Sequence, residues 1–158
     1  MKIEKQVCSL KLAKKLKELG VKQDSLWFWY IPSVDGNDKD LVLDSKGRVL
    51  SRDGNFAEVH ERIAGFEIIE KFSAFTVAEL GEILPEEVKT EELDFHFRTK
   101  KKKDNHWIVK YVGRKGSGTS FRYNSLKKNS EGEKGKTESD ARAKCLCYLI
   151  ENNLIKNK

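Results

Sequence analysis

The run Thr137-Glu-Ser-Asp-Ala-Arg-Ala-Lys-Cys-Leu-Cys-Tyr-Leu-Ile-Glu-Asn-Asn-Leu154 decides the fold class. Thr137 is a candidate N-cap, and Glu138 and Asp140 fall in the first turn, where acids suit the helix dipole. Asp140, Lys144 and Glu151 share one narrow strip, while Ala141, Ala143, Cys145, Leu146, Cys147, Tyr148, Leu149 and Ile150 spread over much of the remaining circumference. A helix that is apolar nearly all round has to be covered by other elements. The preceding chain is therefore expected to supply a sheet or helices to cover it.

An N-terminal helix is read at Ser9–Leu19, with Ser9 as N-cap, Leu12, Leu16 and Leu19 on one stripe, and Gly20 as a left-handed stop. Lys11, Lys14, Lys15 and Lys17 lie mainly off the stripe and read as its solvated face. Leu26-Trp-Phe-Trp-Tyr-Ile31, closed by Pro32, is a strand with both faces at least partly covered. Leu41–Leu43 and Arg48–Leu50 flank Asp44-Ser-Lys-Gly47 as a hairpin. A short helix is expected at Phe56–Ala64 after a capping Asn55, then a strand at Phe66–Phe72. Thr76 opens a clearer helix, Val77–Leu84, with Glu79 completing a capping box and Pro85 ending it.

From Leu93 the apolar period changes to two. Leu93, Phe95 and Phe97 alternate with Asp94, His96 and Arg98, and Trp107, Val109 and Tyr111 alternate with Ile108, Lys110 and Val112. Two antiparallel strands joined by the basic loop Lys100–Lys103 follow. Gly113–Ser120 reads as a turn into a third strand at Phe121–Leu126, and Lys127–Lys136 as a polar, mobile run. The expectation is a single α+β domain over residues 1–158, in which an antiparallel sheet of about five strands packs against the N-terminal and C-terminal helices.

Composition narrows the function classes. Of 158 residues, 35% are charged and 38% hydrophobic, and no window resembles a spanning helix. The first twenty residues carry charge through any apolar core, so no signal peptide is expected. Three cysteines, two of them in an apolar helical run, suit a reducing compartment, and a cytoplasmic location is expected. The net charge of +6 is unevenly placed. Residues 21–97 hold eight basic against seventeen acidic side chains, and residues 98–136 hold thirteen basic against three acidic. An acidic middle thus precedes a basic, loop-rich segment.

Spacing excludes several chemistries. Asp35-Gly-Asn-Asp-Lys-Asp40 is no calcium loop, because Asp40 and Lys46 stand where Gly and a bidentate Glu are needed. His60-Glu61 begins a zinc-protease motif, but Ala64 replaces the second His. Gly113–Ser120 lacks a phosphate-reaching Lys after Gly118, and Cys145 and Cys147 point about 200° apart on a helix. His60, His96 and His106 have no carboxylate or cysteine at ligand-like spacing. No catalytic residues, metal ligands or cofactors are expected, nor a membrane contact or a small-molecule substrate, and the reading is non-enzymatic.

The basic segment carries the functional expectation. Arg98, Lys100, Lys101, Lys102, Lys103, Lys110, Arg114, Lys115, Arg122, Lys127 and Lys128, with Lys134 and Lys136 beyond them, fall on neighbouring strands and loops. Their charge favours phosphate contact through counterion release. Trp107, Tyr111, Phe121 and Tyr123 are interleaved with them, as stacking surfaces require. DNA or RNA, bound weakly and without strong sequence preference, is the expected partner. The alternative is a protein-interaction or self-associating module in which the acidic 21–97 and basic 98–136 surfaces meet a protein partner or a second copy.

Two resemblances bear on this. Cys8–Val21 with the aromatic strand after it, Ala74-Phe-Thr-Val-Ala-Glu-Leu-Gly-Glu-Ile-Leu-Pro85, and Ser139-Asp-Ala-Arg-Ala-Lys-Cys-Leu-Cys-Tyr-Leu-Ile150 resemble the start, middle and end of small uncharacterised proteins of bacterial phages, prophages and mobile elements. That resemblance implies such an origin and no particular activity. The order over 76–151, short helix, three strands, long helix, is similar to that of a double-stranded RNA-binding domain. That family uses a His-containing loop between the first two strands and lysines at the start of the last helix, and His106, Lys134, Lys136 and Lys144 lie in matching places. The Gly-Pro pair before the loop His is absent here, and Glu138 and Asp140 occupy the helix start.

Overall fold

The structure, a computed structural model, describes residues 5–32, 41–44, 48–50, 56–58, 68–117, 120–126 and 132–155, with side chains for 5–29, 71–113, 125–126 and 132–155. The fold is mixed α+β, and all strand pairs among the described residues are antiparallel. The strands described form two five-stranded sheets rather than one sheet of about five. Where the sequence reading takes 1–158 as one body, the chain divides into two compact units, Met1–Thr76 and Val77–Lys158.

In the first unit, α1 (Leu10–Glu18) lies against β5 (Ile68–Ser73). The sheet runs β4 (Phe56–Glu58), β3 (Arg48–Leu50), β2 (Leu41–Asp44), β1 (Trp27–Pro32), β5. β1 is internal to it, and adjacent Phe28 and Trp29 are both buried, so the aromatic strand is covered on both faces. The Trp29 indole Nε1 donates to the Cys8 carbonyl at 2.8 Å, which satisfies the ring's polar edge. Lys14 and Lys17 of α1 place their ammonium groups 5.4 and 4.6 Å from the Phe72 ring centre, so these two lysines lie over an aromatic ring of the sheet.

Helix α1 ends as its sequence predicts. Gly20 takes φ 80°, Gly20 N–H donates to Lys17 O, and Val21 N–H reaches back to Leu16 O, which is a Schellman closure. At the other end Ser9 makes no side-chain cap, and its backbone carbonyl accepts from Leu12 and Ala13 instead. The helix expected at Phe56–Ala64 is corrected: Phe56–Glu58 is a strand paired with β3 in the register Arg48↔Glu58, Val49↔Ala57, Leu50↔Phe56. The hairpin edge offers those backbone groups a ladder, which outweighs a weak local helix signal. Residues 59–67, with His60, lie outside the described residues, as does 33–40.

In the second unit, α2 (Val77–Ile83) and α3 (Glu138–Glu151) pack together. The sheet runs β10 (Glu133–Gly135), β8 (Trp107–Ser117), β7 (Asp94–Lys101), β6 (Glu87–Lys89), with β9 (Ser120–Ser125) pairing the far half of β8 on the edge that β10 occupies nearer its start. The turn expected over Gly113–Ser120 is corrected: Gly113–Ser117 continue β8 and pair β9 in the register Gly113↔Asn124 to Ser117↔Ser120, because the returning strand offers their backbone groups a ladder. The Thr137 hydroxyl accepts from Asp140 N–H at 3.1 Å and caps α3, as expected. Ser139, Ala141, Ala143, Cys145, Leu146, Cys147 and Leu149 are all buried, so both helix cysteines serve as packing. The helix closes on Asn153 at φ 54°, with Leu154 N–H donating to Leu149 O.

Two strands were not legible in the chain. Glu87–Lys89 pairs β7, and Glu133–Gly135, within the run expected to be mobile, pairs β8 at Trp107–Val109. The second is held by close fit: a Cβ added to Gly135 would sit 2.5 Å from Ala141 N and 2.7 Å from Thr137 O. Only glycine lets this strand approach the start of α3 so closely.

Candidate functional site

The second unit's core fixes which way the β7–β8 hairpin points its charges. Phe97 and Tyr111 are cross-strand partners with ring centres 5.6 Å apart, and the Arg142 guanidinium of α3 lies 5.2 Å from the Phe97 ring centre. Arg142 is held there by Glu138, whose Oε1 accepts from Nε at 3.0 Å and Nη2 at 2.7 Å. The buried Tyr111 phenol donates to Pro85 O, and burial pushes its ionisation well above the ordinary range. Phe95, Phe97, Val109 and Tyr111 therefore belong to the helix-side face. By strand alternation, His96, Arg98 and Lys100 of β7 and Ile108, Lys110 and Val112 of β8 belong to the opposite one.

The register sets the charges side by side. Arg98 pairs with Lys110, Lys100 with Ile108, and Lys134 of β10 with the same Ile108 from its other side. At the hairpin tip Lys102 N–H donates to His106 O at 2.8 Å and Asn105 N–H to Lys102 O at 3.1 Å. Asn105 supplies the left-handed residue at φ 61° that this turn needs. Asp104 accepts from the His106 backbone at 3.4 Å, and its Oδ2 is 3.1 Å from His106 Nδ1. The His106 backbone N–H, followed by its ring, holds the Asp104 carboxyl below the usual range.

A depression of about 660 Å³ results, lined by Lys100–Lys103, Asp104, His106, Ile108 and Lys134. Beside it, sharing Lys100, Lys102 and Ile108, lies a second of about 300 Å³ that adds Arg98, Thr99 and Lys110. Among the described residues, no ion pair joins Arg98, Lys100, Lys102, Lys103 or Lys110 to a carboxylate. Lys144 of α3 donates to the Lys134 backbone carbonyl at 2.6 Å and so ties β10 to the helix.

Of the residues expected from sequence, Arg98, Lys100, Lys101, Lys102, Lys103 and Lys110 are brought together. Arg114, Lys115 and Arg122 are placed by backbone only, in β8 and β9, where Lys115 pairs with Arg122. Lys127 and Lys128 lie outside the described residues. Tyr111, considered as a stacking ring, is 2% exposed and belongs to the core, while Trp107 stays half-buried beside Lys101. Thr99 and Ile108 join the site unannounced; only the register, not composition, reveals them.

Among the described residues no group of three or more His, Cys, Asp and Glu could hold a metal ion, and no helix is long and apolar enough to cross a membrane. No protein-family model, curated protein or solved structure matches the chain.

Proposed function

We propose that this is a non-enzymatic accessory protein, of phage or mobile-element origin, that binds DNA or RNA weakly and without strong sequence preference. The tip of the β7–β8 hairpin is its contact. The observation that carries the reading is the gathering of Lys100, Lys101, Lys102 and Lys103 with Lys134 around one open depression. Such a cluster attracts phosphates because their contact releases condensed counterions. Val77–Glu151 also runs helix, antiparallel strands, helix, the order compared above with a double-stranded RNA-binding domain, with β6 and β10 added. His106, at the hairpin tip, occupies the loop position that comparison singles out.

Fluorescence anisotropy with labelled DNA and RNA, single- and double-stranded, at two salt concentrations tests the reading. Binding that weakens steeply as salt rises is the expected result. No binding to any of them at low salt ends it, and a concentration-dependent mass in sedimentation would favour self-association instead.

A further inference from the structure

We infer that the contact extends from the hairpin tip along the sheet face opposite α3, where it holds successive phosphates of one chain without reading bases. This rests on the proposed nucleic-acid reading and deepens it. Arg98 and Lys110 stand directly opposite one another across antiparallel strands, an arrangement that repels. The next pair on the same face, Lys100 and Ile108, adds a third cation, and Lys134 a fourth from the other side of Ile108. Among the described residues no carboxylate is ion-paired with Arg98, Lys100 or Lys110. Glu87 of β6 faces this surface only at its far end, where its Oε1 is 3.8 Å from His96 Nε2. A row of like charges kept on one face breaks the local rule for strand pairing, and such breaks mark functional surfaces.

The surface's shape suits a chain rather than a single anion. Two depressions adjoin along the hairpin, with Lys100, Lys102 and the 5%-exposed Ile108 between them. Two seats side by side fit consecutive phosphates. Phe95, Phe97, Trp107 and Tyr111 alternate onto the other face, so no Phe, Tyr or Trp ring of β7 or of Trp107–Gly113 on β8 lies here for base stacking, and the His96 imidazole sits at the far end beside Glu87. The ligand chemistry is a polyphosphate-like backbone, whose source is either nucleic acid or inorganic polyphosphate.

The test uses the full chain and its Arg98→Gln/Lys110→Gln variant against three labelled probes: poly-dT, poly-dA and a mixed-sequence RNA duplex, with inorganic polyphosphate as competitor. Removing two phosphate contacts is expected to shrink the affinity lost between roughly 50 and 200 mM salt by about tenfold. The same variant is expected to raise the urea midpoint, because it relieves the cross-strand repulsion; a purely structural role for this pair would lower it. The wild type is expected to bind poly-dT and poly-dA within about threefold of each other, unlike a stacking platform. Polyphosphate should displace both, whereas a mononucleotide should not. An unchanged salt dependence in the variant, or a strong preference between the homopolymers, overturns the inference while leaving nucleic-acid binding intact. Polyphosphate binding that needs Arg98 and Lys110, with no nucleic-acid binding, keeps the phosphate-chain surface and removes the proposed function. No binding of either removes both.

Discussion

Replacing Lys100, Lys101, Lys102 and Lys103 with Ala is the perturbation aimed at the hairpin tip. All four side chains are exposed, and the turn is closed by backbone bonds from Lys102 N–H to His106 O and Asn105 N–H to Lys102 O. Alanine retains both bonds, so the fold should survive with an unchanged circular dichroism spectrum. The binding effect follows from counterion release. Each phosphate contact on a duplex contributes about 0.9 to the slope of log affinity against log salt, so four contacts contribute at most ~3.6. Over a fourfold rise from roughly 50 to 200 mM salt, that corresponds to about a hundredfold loss of affinity in the wild type that the variant would no longer show. Anisotropy with a labelled RNA duplex at both salts reads the two slopes. A folded variant whose slope equals that of the wild type would refute the assignment of phosphate contact to this tip.

Other substitutions test the frame that carries the hairpin. Gly135→Ala drives a Cβ against the backbone of Thr137 and Ala141, neither of which can give way as a side-chain end can. A loss of about 1–3 kcal/mol in urea denaturation is expected, and an unchanged midpoint would contradict the close approach. Arg142→Met keeps the stem over Phe97 but strips both hydrogen bonds from Glu138, which is only partly exposed. A cost of about 1–3 kcal/mol is expected, and pairing it with Glu138→Gln should recover part of that loss, as a double-mutant cycle would show. Tyr111→Phe removes the bond to Pro85 O at about 1 kcal/mol near neutral pH. Because burial raises the Tyr111 pKa above its unfolded value near 10, the stability from the neutral phenol is fully present below about pH 10 and is lost as pH rises beyond it. The Phe variant should show a shallower alkaline decline in urea midpoint, and an identical decline would assign it to other groups.

Much of the fold was readable because it rests on local signals. Gly20 at a left-handed stop, Thr137 as a cap and the period-two run from Leu93 each specify one geometry from a few adjacent residues. The last helix was legible in another way, since an apolar surface nearly all round requires covering, and both cysteines proved to be buried. What escaped the reading depends on distant partners. Glu133-Lys-Gly135 has no strand composition, and it is a strand because Trp107–Val109 offers a free ladder and Gly135 fits under Ala141. Phe56–Glu58 lies in a stretch whose sequence pattern suggests a short helix, yet the edge of β3 claims it.

The candidate site was legible as charge and not as geometry. Counting basic residues over 98–136 located the hairpin, and alternation separated Arg98 and Lys110 from the buried Tyr111. The Arg98–Lys110 opposition and the place of Lys134 beside Ile108 follow only from register, which depends on the exact turn at Lys102–His106.

The measurement that bears most directly on the central claim is amide chemical-shift mapping of the isotopically labelled full chain during titration with a short RNA duplex and a DNA oligonucleotide. The account predicts salt-sensitive shifts concentrated at Arg98–Lys110 and Lys134, with small changes in α1 and β1. Shifts centred on Met1–Thr76, or none at low salt, would contradict it.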